Sequence, residues 1–320
     1  SPAGSGFVKV DGTSITTPQT YSWTIGSAHT IEALSPISGG TGTRYVWVSW
    51  SNGGAQSHTY TVPSYPQTVT ANYKTQYYLT VTSAHDLPTP ASSWFDTGTT
   101  ITASVTTPAD QSGGARYRCT GWTGTGSVPS SGSASSVTFT ISAPSSITWN
   151  WIAQYYLTVN TNPAEVSSLN PSAVSGQGWY DSGTTAAVNA LQNIDRVLGS
   201  SRYDFRSWTG ATQTGSGNQA SVLMDAPKAA TANYQLQYKI TFAQSGVGSD
   251  FTGTVLTIDS TNIYGVGNLP AWLWWDDKSV HGFAFSSPLV VTANVKQYVW
   301  TITTGLSTAQ SGSITVSGSG

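Results

Sequence analysis

The chain has 320 residues, a net charge of −2 and 8% charged side chains, against roughly 25% in an ordinary soluble domain. Its lysines and arginines are scattered singly, so no basic stripe exists to follow a phosphate backbone, and nucleic acid is not an expected partner. No apolar run reaches the roughly 18 residues of a membrane-crossing helix, so no membrane span is expected either.

Glycine and β-branched residues are plentiful and strong helix formers scarce, which predicts an all-β fold rich in turns. The predicted elements repeat along the chain. Residues 1–73 contain YSWTIGSAHT from Tyr21, RYVWVSW at 44–50 and a closing QTVTANY at 67–73. Residues 74–151 open on QYYLTV (76–81), pass through WFDTGTT (94–100) and RYRCTGW (116–122), and close on SSITWNW (145–151). Residues 152–235 run through the same series: QYYLTV (154–159), WYDSGTT (179–185), RYDFRSW (202–208) and KAATANY (228–234). Residues 236–320 begin with QYKITF (237–242) and contain LWWDDKSVHGFAF from Leu273 and QYVWTI at 297–302. Self-similarity of this kind marks a tandem array. The chain is therefore predicted to be four small, mostly antiparallel β-modules in an elongated array, with boundaries near residues 73, 151 and 235.

Within a module the alternation is that of a strand, with Tyr77, Leu79 and Val81 on one face and Tyr78 and Thr80 on the other. WFDTGT and WYDSGT have the composition of tight turns, in which Asp folds its carboxylate onto nearby amides and Gly supplies a positive φ. Calcium ligation by Asp96 and Asp181 is the alternative reading. Trp50, Trp122, Trp208, Trp94 and Trp179 recur at fixed places and are expected to mark the module cores. Aligning the RY phrases puts the single Cys119 in the column of Trp47 and Phe205, so a core position is expected, the alternative being one bond to another chain. Modules of this size bury little core alone and lean on their neighbours. NYKTQYY and NWIAQYY are expected to be short, stiff linkers between them.

These phrases resemble the divergent InlB B-repeat-like modules of bacterial and archaeal cell-surface proteins. The pattern of that family is a Y-x-L-T-V opening strand, a G-x-[WY]-x-x-G-T-x-[VI] turn and strand, an [RY]-x-F-x-G-W strand and a closing V-T-A-[NK]-[YFW]. The resemblance covers modules two and three fully and modules one and four in part. It implies a small β-module outside the cell, hence an extracellular or cell-surface location, and implies little about activity.

Module one has no counterpart of QYYLTV, and module four has none of KAATANY. The first and last strands of the chain are accordingly expected to be open sheet edges: Phe7, Val8, Lys9 and Val10 at one end, Ser313, Ile314, Thr315 and Val316 at the other. With six lysines to guard such edges and no acceptor sequence for N-linked sugar, copies of the chain itself are the expected partner. Head-to-tail pairing would build a filament, sheath or layer. A cut from a longer repeat protein would show the same open ends.

An enzyme needs converging polar groups. His29, His58, His85 and His281 lack metal-ligand spacing, Glu occurs only at Glu32 and Glu165, and no nucleophile elbow or phosphate loop is present. No catalysis, metal or cofactor is expected. In PAWLWWDDK (270–278), Trp275 is aligned with Trp23, Trp94 and Trp179, which leaves Trp272 and Trp274 as additional rings. They either stack on sugars or pack at an interface. The alternative to a polymer is thus an adhesin or spacer stalk with a carbohydrate- or protein-binding site in module four, cell-surface glycans being the candidate ligand.

Overall fold

A computed structural model describes residues 4–214 and 217–320. Among these the fold is all-β, with mostly antiparallel sheets, one short α-helix at Glu165–Leu169 and a single 3-10 turn at Val266–Asn268. No described helix is long and apolar enough to cross a membrane. The chain divides into two compact units, Ser1–Gln154 and Tyr155–Gly320.

Each unit holds two apolar cores. In the first unit one core is built on Val8, Val10, Ile31, Ala33, Trp50 and Ala71, the other on Leu79, Ile101, Cys119, Trp122, Ile147 and Trp149. In the second unit one gathers Leu157, Val188, Phe205, Trp208, Met224 and Ala230, the other Ile240, Leu256, Trp275, Phe283 and Ile314. Each core draws on a single stretch of roughly 75 residues, the size at which a lone β-layer cannot shield its apolar face and a second layer must cover it.

The third module shows how such a core is closed. Its opening segment, the second half of strand Ser145–Asn162, lies parallel to its closing segment, the first half of strand Lys228–Phe242, in register from Leu157↔Lys228 to Asn162↔Asn233. Strand Ser201–Thr209 flanks the closing segment antiparallel, pairing Trp208 with Ala232 and Phe205 with Tyr234. Facing this layer is a four-stranded sheet in the order Val174–Ser175, Thr185–Ala190, Gln219–Leu223, Thr212–Gln213. Alternation sends Ala186, Val188 and Ala190 inward and their neighbours to solvent. Module two repeats the parallel pair, with Ser145↔Leu79 through Thr148↔Thr82.

Two expectations are corrected here. The phrases NYKTQYY and NWIAQYY are no linkers but the middles of unbroken strands, Ala71–Thr82 and Ser145–Asn162. No Gly or Pro interrupts either phrase, so the pleat runs on from the close of one module into the opening of the next. Nor are Phe7, Val8, Lys9 and Val10 an open edge. Strand Gly4–Val10 is flanked by Thr13–Thr17 on one side and Ala28–Ala33 on the other. The cause is the hairpin turn at Asp11 (φ 51) and Gly12 (φ 78), a pair at positive φ that folds the chain back along its own edge. Ser313, Ile314 and Thr315 do lie in a strand at a sheet margin, Ser311–Thr315, whose one partner among the described residues is Val280–Phe285. Ile314 and Val316 point into the core.

Leu157 is fully buried at the start of the parallel pair. Leu157→Ala should destabilise the unit Tyr155–Gly320 by about 2–5 kcal/mol, read as an earlier urea unfolding transition, whereas a change at exposed Asn160 to Ala should stay within about 0.5 kcal/mol.

Candidate functional site

Three regions gather the distinctive side chains: the module junctions, a histidine clamp, and two clefts where strands are lacking.

At the junctions, the glutamine that opens each QYY-type phrase acts as a hub. Arg44 Nε donates to Gln76 Oε1 at 2.8 Å, Arg116 Nε to Gln154 Oε1 at 2.8 Å, and Arg202 Nε to Gln237 Oε1 at 3.0 Å. Gln76 and Gln237 in turn donate through Nε2 to Asp96 (2.6 Å) and Asp276 (2.9 Å). The Arg44 and Arg202 guanidiniums lie 4.4 Å above the Trp94 and Trp274 rings. Asp96 also accepts from Lys74, and hydrogen bonds from Lys74 and Gln76 hold its carboxyl below the usual range. The Asp96 carboxylate is thus committed to side-chain donors, and among the described residues no group of three or more His, Cys, Asp or Glu is arranged to hold a metal.

This geometry moves the tryptophan alignment by one residue. Gln76 faces Asp96 and Tyr78 faces Trp94, while Gln237 faces Asp276 and Lys239 faces Trp274. Trp274, not Trp275, therefore holds the column of Trp94 and supports an arginine. Trp275 takes the place of Phe95 and is buried. LWW admits two registers as a sequence, and only cross-strand pairing selects one. Trp272 is 57% exposed, with the Lys239 ammonium 4.9 Å from its ring centre. Trp272 and Trp274 thus each carry a cation over the ring. Trp50 and Trp208 are core residues whose indole N–H groups donate to the carbonyls of Gln56 (3.1 Å) and Asn218 (3.0 Å). Trp122 packs edge-on to Trp149, and Cys119 is a buried free thiol beside them, with the Gly121 N–H donating to its sulfur. Trp94 and Trp179 are half-buried.

The histidines form a constellation that their spacing does not reveal. His29 Nδ1 meets Asp11 Oδ2 at 2.7 Å and its Nε2 meets Ser27 Oγ at 3.1 Å, while Trp23 stacks on the ring at 3.8 Å. Module four repeats it: His281 meets Asp259 at 2.8 Å and Ser279 at 3.0 Å, with Trp275 stacked at 4.0 Å. The order Ser–His–Asp is that of a hydrolytic triad. The hydroxyls, however, donate to turn carbonyls, Ser27 to Thr24 at 2.7 Å and Ser279 to Asp276 at 2.5 Å. Thr184 donates to Asp181 in the same way in module three, where its residue two places on is Ala186 and no histidine takes part. The serine hydroxyl thus lies between a turn carbonyl and the ring, and the histidine ties that turn to the aspartate of the neighbouring hairpin. Asp11 Oδ1 and Asp259 Oδ1 also accept the backbone N–H of Thr30 (2.8 Å) and Gly282 (2.9 Å). The sequence signal was the recurrence of V-D-G-T and I-D-S-T ahead of S-x-H.

The two clefts lie where strands are lacking. Trp50↔Ala71 and Trp47↔Tyr73 correspond to Trp208↔Ala232 and Phe205↔Tyr234, so Gln67 and Val69 stand where Lys228 and Ala230 stand in module three. Residues 228–233 pair with a parallel opening strand, whereas residues 67–70 are not in a strand and none lies alongside them among the described residues. A cleft of about 920 Å³ separates residues 67–71 from residues 17–23, floored by Val8, Val10, Ile31 and Trp50. In module four the opening segment meets Gly320, whose N–H donates to Lys239 O at 3.3 Å and whose carbonyl accepts the Thr241 N–H at 2.6 Å. That places Gly320 opposite Ile240, as Lys228 is opposite Leu157. Beyond it a cleft of about 600 Å³ opens between residues 240–245 and residues 298–307, lined by Phe242, Phe283 and Ile314.

No family model, curated protein or solved structure matches this chain.

The clamp carries a pH dependence. Hydrogen bonds from His29 and His281 are the largest cause holding the Asp11 and Asp259 carboxyls below their ordinary 3.8. A carboxyl depressed in the folded state stabilises it above the unfolded value and loses that contribution as pH falls through the lower folded value. Thermal melts should therefore show stability falling below about pH 4, and in an Asp11→Asn, Asp259→Asn double variant this acid-side slope should flatten while the melting temperature at pH 7 drops.

Proposed function

We propose that this is a secreted structural protein of the cell surface that self-assembles into an extracellular filament, sheath or layer by β-strand pairing between subunits. The observation that carries this reading is the pair of clefts in modules one and four, at the places where modules two and three have a parallel strand pair and none is present among the described residues. Open edges of this kind attract further strands, and natural proteins ordinarily block them with charge. Here charged residues are only 8% of the chain, so little opposes association. Among the described residues the two clefts differ, the first having no opening strand and the second no closing one beyond Gly320. Contacts between unlike surfaces do not close on themselves unless rotation brings them round, and open chains are their default product. The junction chemistry supports the same reading, since aromatic, arginine and glutamine side chains already join modules within each unit. The extracellular location follows from the resemblance of modules two and three to surface repeats.

Sedimentation and negative-stain electron microscopy of the purified chain over a rising concentration series test the proposal. Thin filaments or sheets and a concentration-dependent rise in mass are expected. A chain that stays monomeric throughout, in buffers from low to high salt, overturns it.

A further inference from the structure

We propose that the two clefts are the two halves of one docking site for a single extended polypeptide strand, which closes the fourth module of one copy and opens the first module of the next. The second copy rests on the assembly reading above; the strand is inferred from the repeats inside the chain. At each passage from one module to the next, one uninterrupted strand does both tasks: Ala71–Thr82, Ser145–Asn162 and Lys228–Phe242. The clefts mark the two places where such a strand is lacking among the described residues.

Both walls of each cleft are built to receive it. Stacking of Trp23 on His29 and of Trp275 on His281 aligns residues 19–24 with strand Ala271–Asp276, which in module four pairs with the opening segment. In module one the aligned residues have no strand pairing, and they face residues 67–70 across the first cleft. In module four, the Trp300 N–H donates to Ser287 Oγ as the Trp47 N–H donates to Ser35 Oγ, which aligns residues 297–303 with residues 44–50 of strand Thr43–Trp50. Residues 44–47, 49 and 50 pair with strand Ala71–Thr82, whereas residues 299–303 are in no strand and face residues 240–245 across the second cleft. A strand entering either cleft thus finds backbone donors and acceptors on both sides and an apolar floor below, which satisfies its own groups along its length.

The register follows from the complete modules. In the first cleft the strand runs parallel to residues 67–70, with an aliphatic residue opposite Gln67 and another opposite Val69, as Leu157 and Val159 stand opposite Lys228 and Ala230. In the second it continues the parallel bridge that Gly320 makes with Ile240, with an apolar residue opposite Phe242. The occupant is therefore a strand of alternating apolar pattern long enough to span both halves.

The probe is a synthetic peptide of residues 228–242, KAATANYQLQYKITF, with its halves 228–235 and 235–242 and a scrambled form. Each is added to monomeric full chain and followed by analytical ultracentrifugation and thermal melting. Each half is expected to bind saturably and raise the melting temperature without changing the sedimenting mass. The whole peptide at half the molar amount of protein is expected to double that mass, and an excess of either half to reverse the doubling. Ile240→Asp in the second half should abolish its binding, and Val69→Arg in the protein should abolish it equally while leaving the first half bound. Binding of no peptide, equal binding of the scrambled form, or binding of halves without linkage by the whole overturns the proposal. Filaments that form while no peptide binds overturn this site and leave the assembly reading intact. Linkage by the peptide of a chain that stays monomeric alone overturns spontaneous assembly and retains the site.

Discussion

Parallel strands cannot be joined by a tight turn, and that constraint organises each module. When the first and last segments of a module lie side by side and point the same way, everything between them must cross from one end to the other. The intervening strands make that crossing and form the opposing layer of the core. Leu79 and Leu157, at the start of the parallel pairs, are fully buried because the returning segment and the opposing sheet meet over them. Where the pair is incomplete, the crossing still forms but the core beside it stays open. Modules one and four are such cases among the described residues, where no third strand lies between the walls of either cleft.

The junctions solve a second difficulty, that of holding polar side chains in the middle of a long strand. Gln154 and Gln237 are buried, and a buried amide without partners is costly. An arginine from the neighbouring strand supplies the donor for the carbonyl oxygen, and at Gln76 and Gln237 an aspartate takes the amide protons. The same arginine lies on a tryptophan face at Trp94 and Trp274. Charge is scarce in this chain, and much of it is spent at these sites. The same economy holds in the clamps, where Asp11 and Asp259 bind a histidine and a backbone amide at once. A Ser–His–Asp order arises there with the serine oxygen also held to a turn carbonyl.

The all-β fold and its strand alternation were legible in the amino-acid sequence. QYYLTV and its echoes carry a period of two, and the missing phrases at either end could be counted. The location of the open edges was not legible. Phe7 to Val10 read as a terminal strand, yet the Asp11–Gly12 turn pairs it with Thr13–Thr17 and strand Ala28–Ala33 covers its other side. The first cleft lies instead beside residues 67–70, which by pattern belong to an ordinary closing strand. LWW was read one residue out of register for a related reason, since adjacent aromatic residues satisfy the same alternation on either face.

What the sequence by itself determined is therefore local and periodic: alternating faces, turn chemistry, and which phrases recur or are lacking. These depend on neighbours within a few residues, and the physics that sets them is steric and short-ranged. Tertiary structure alone decided which strand stands beside which, that supposed linkers are continuous strands, that Asp11 reaches His29, and where the two clefts lie. Pairing partners lie tens of residues apart, and a one-residue slip reverses every side chain, so only the packed cores select among registers that the local pattern leaves equal.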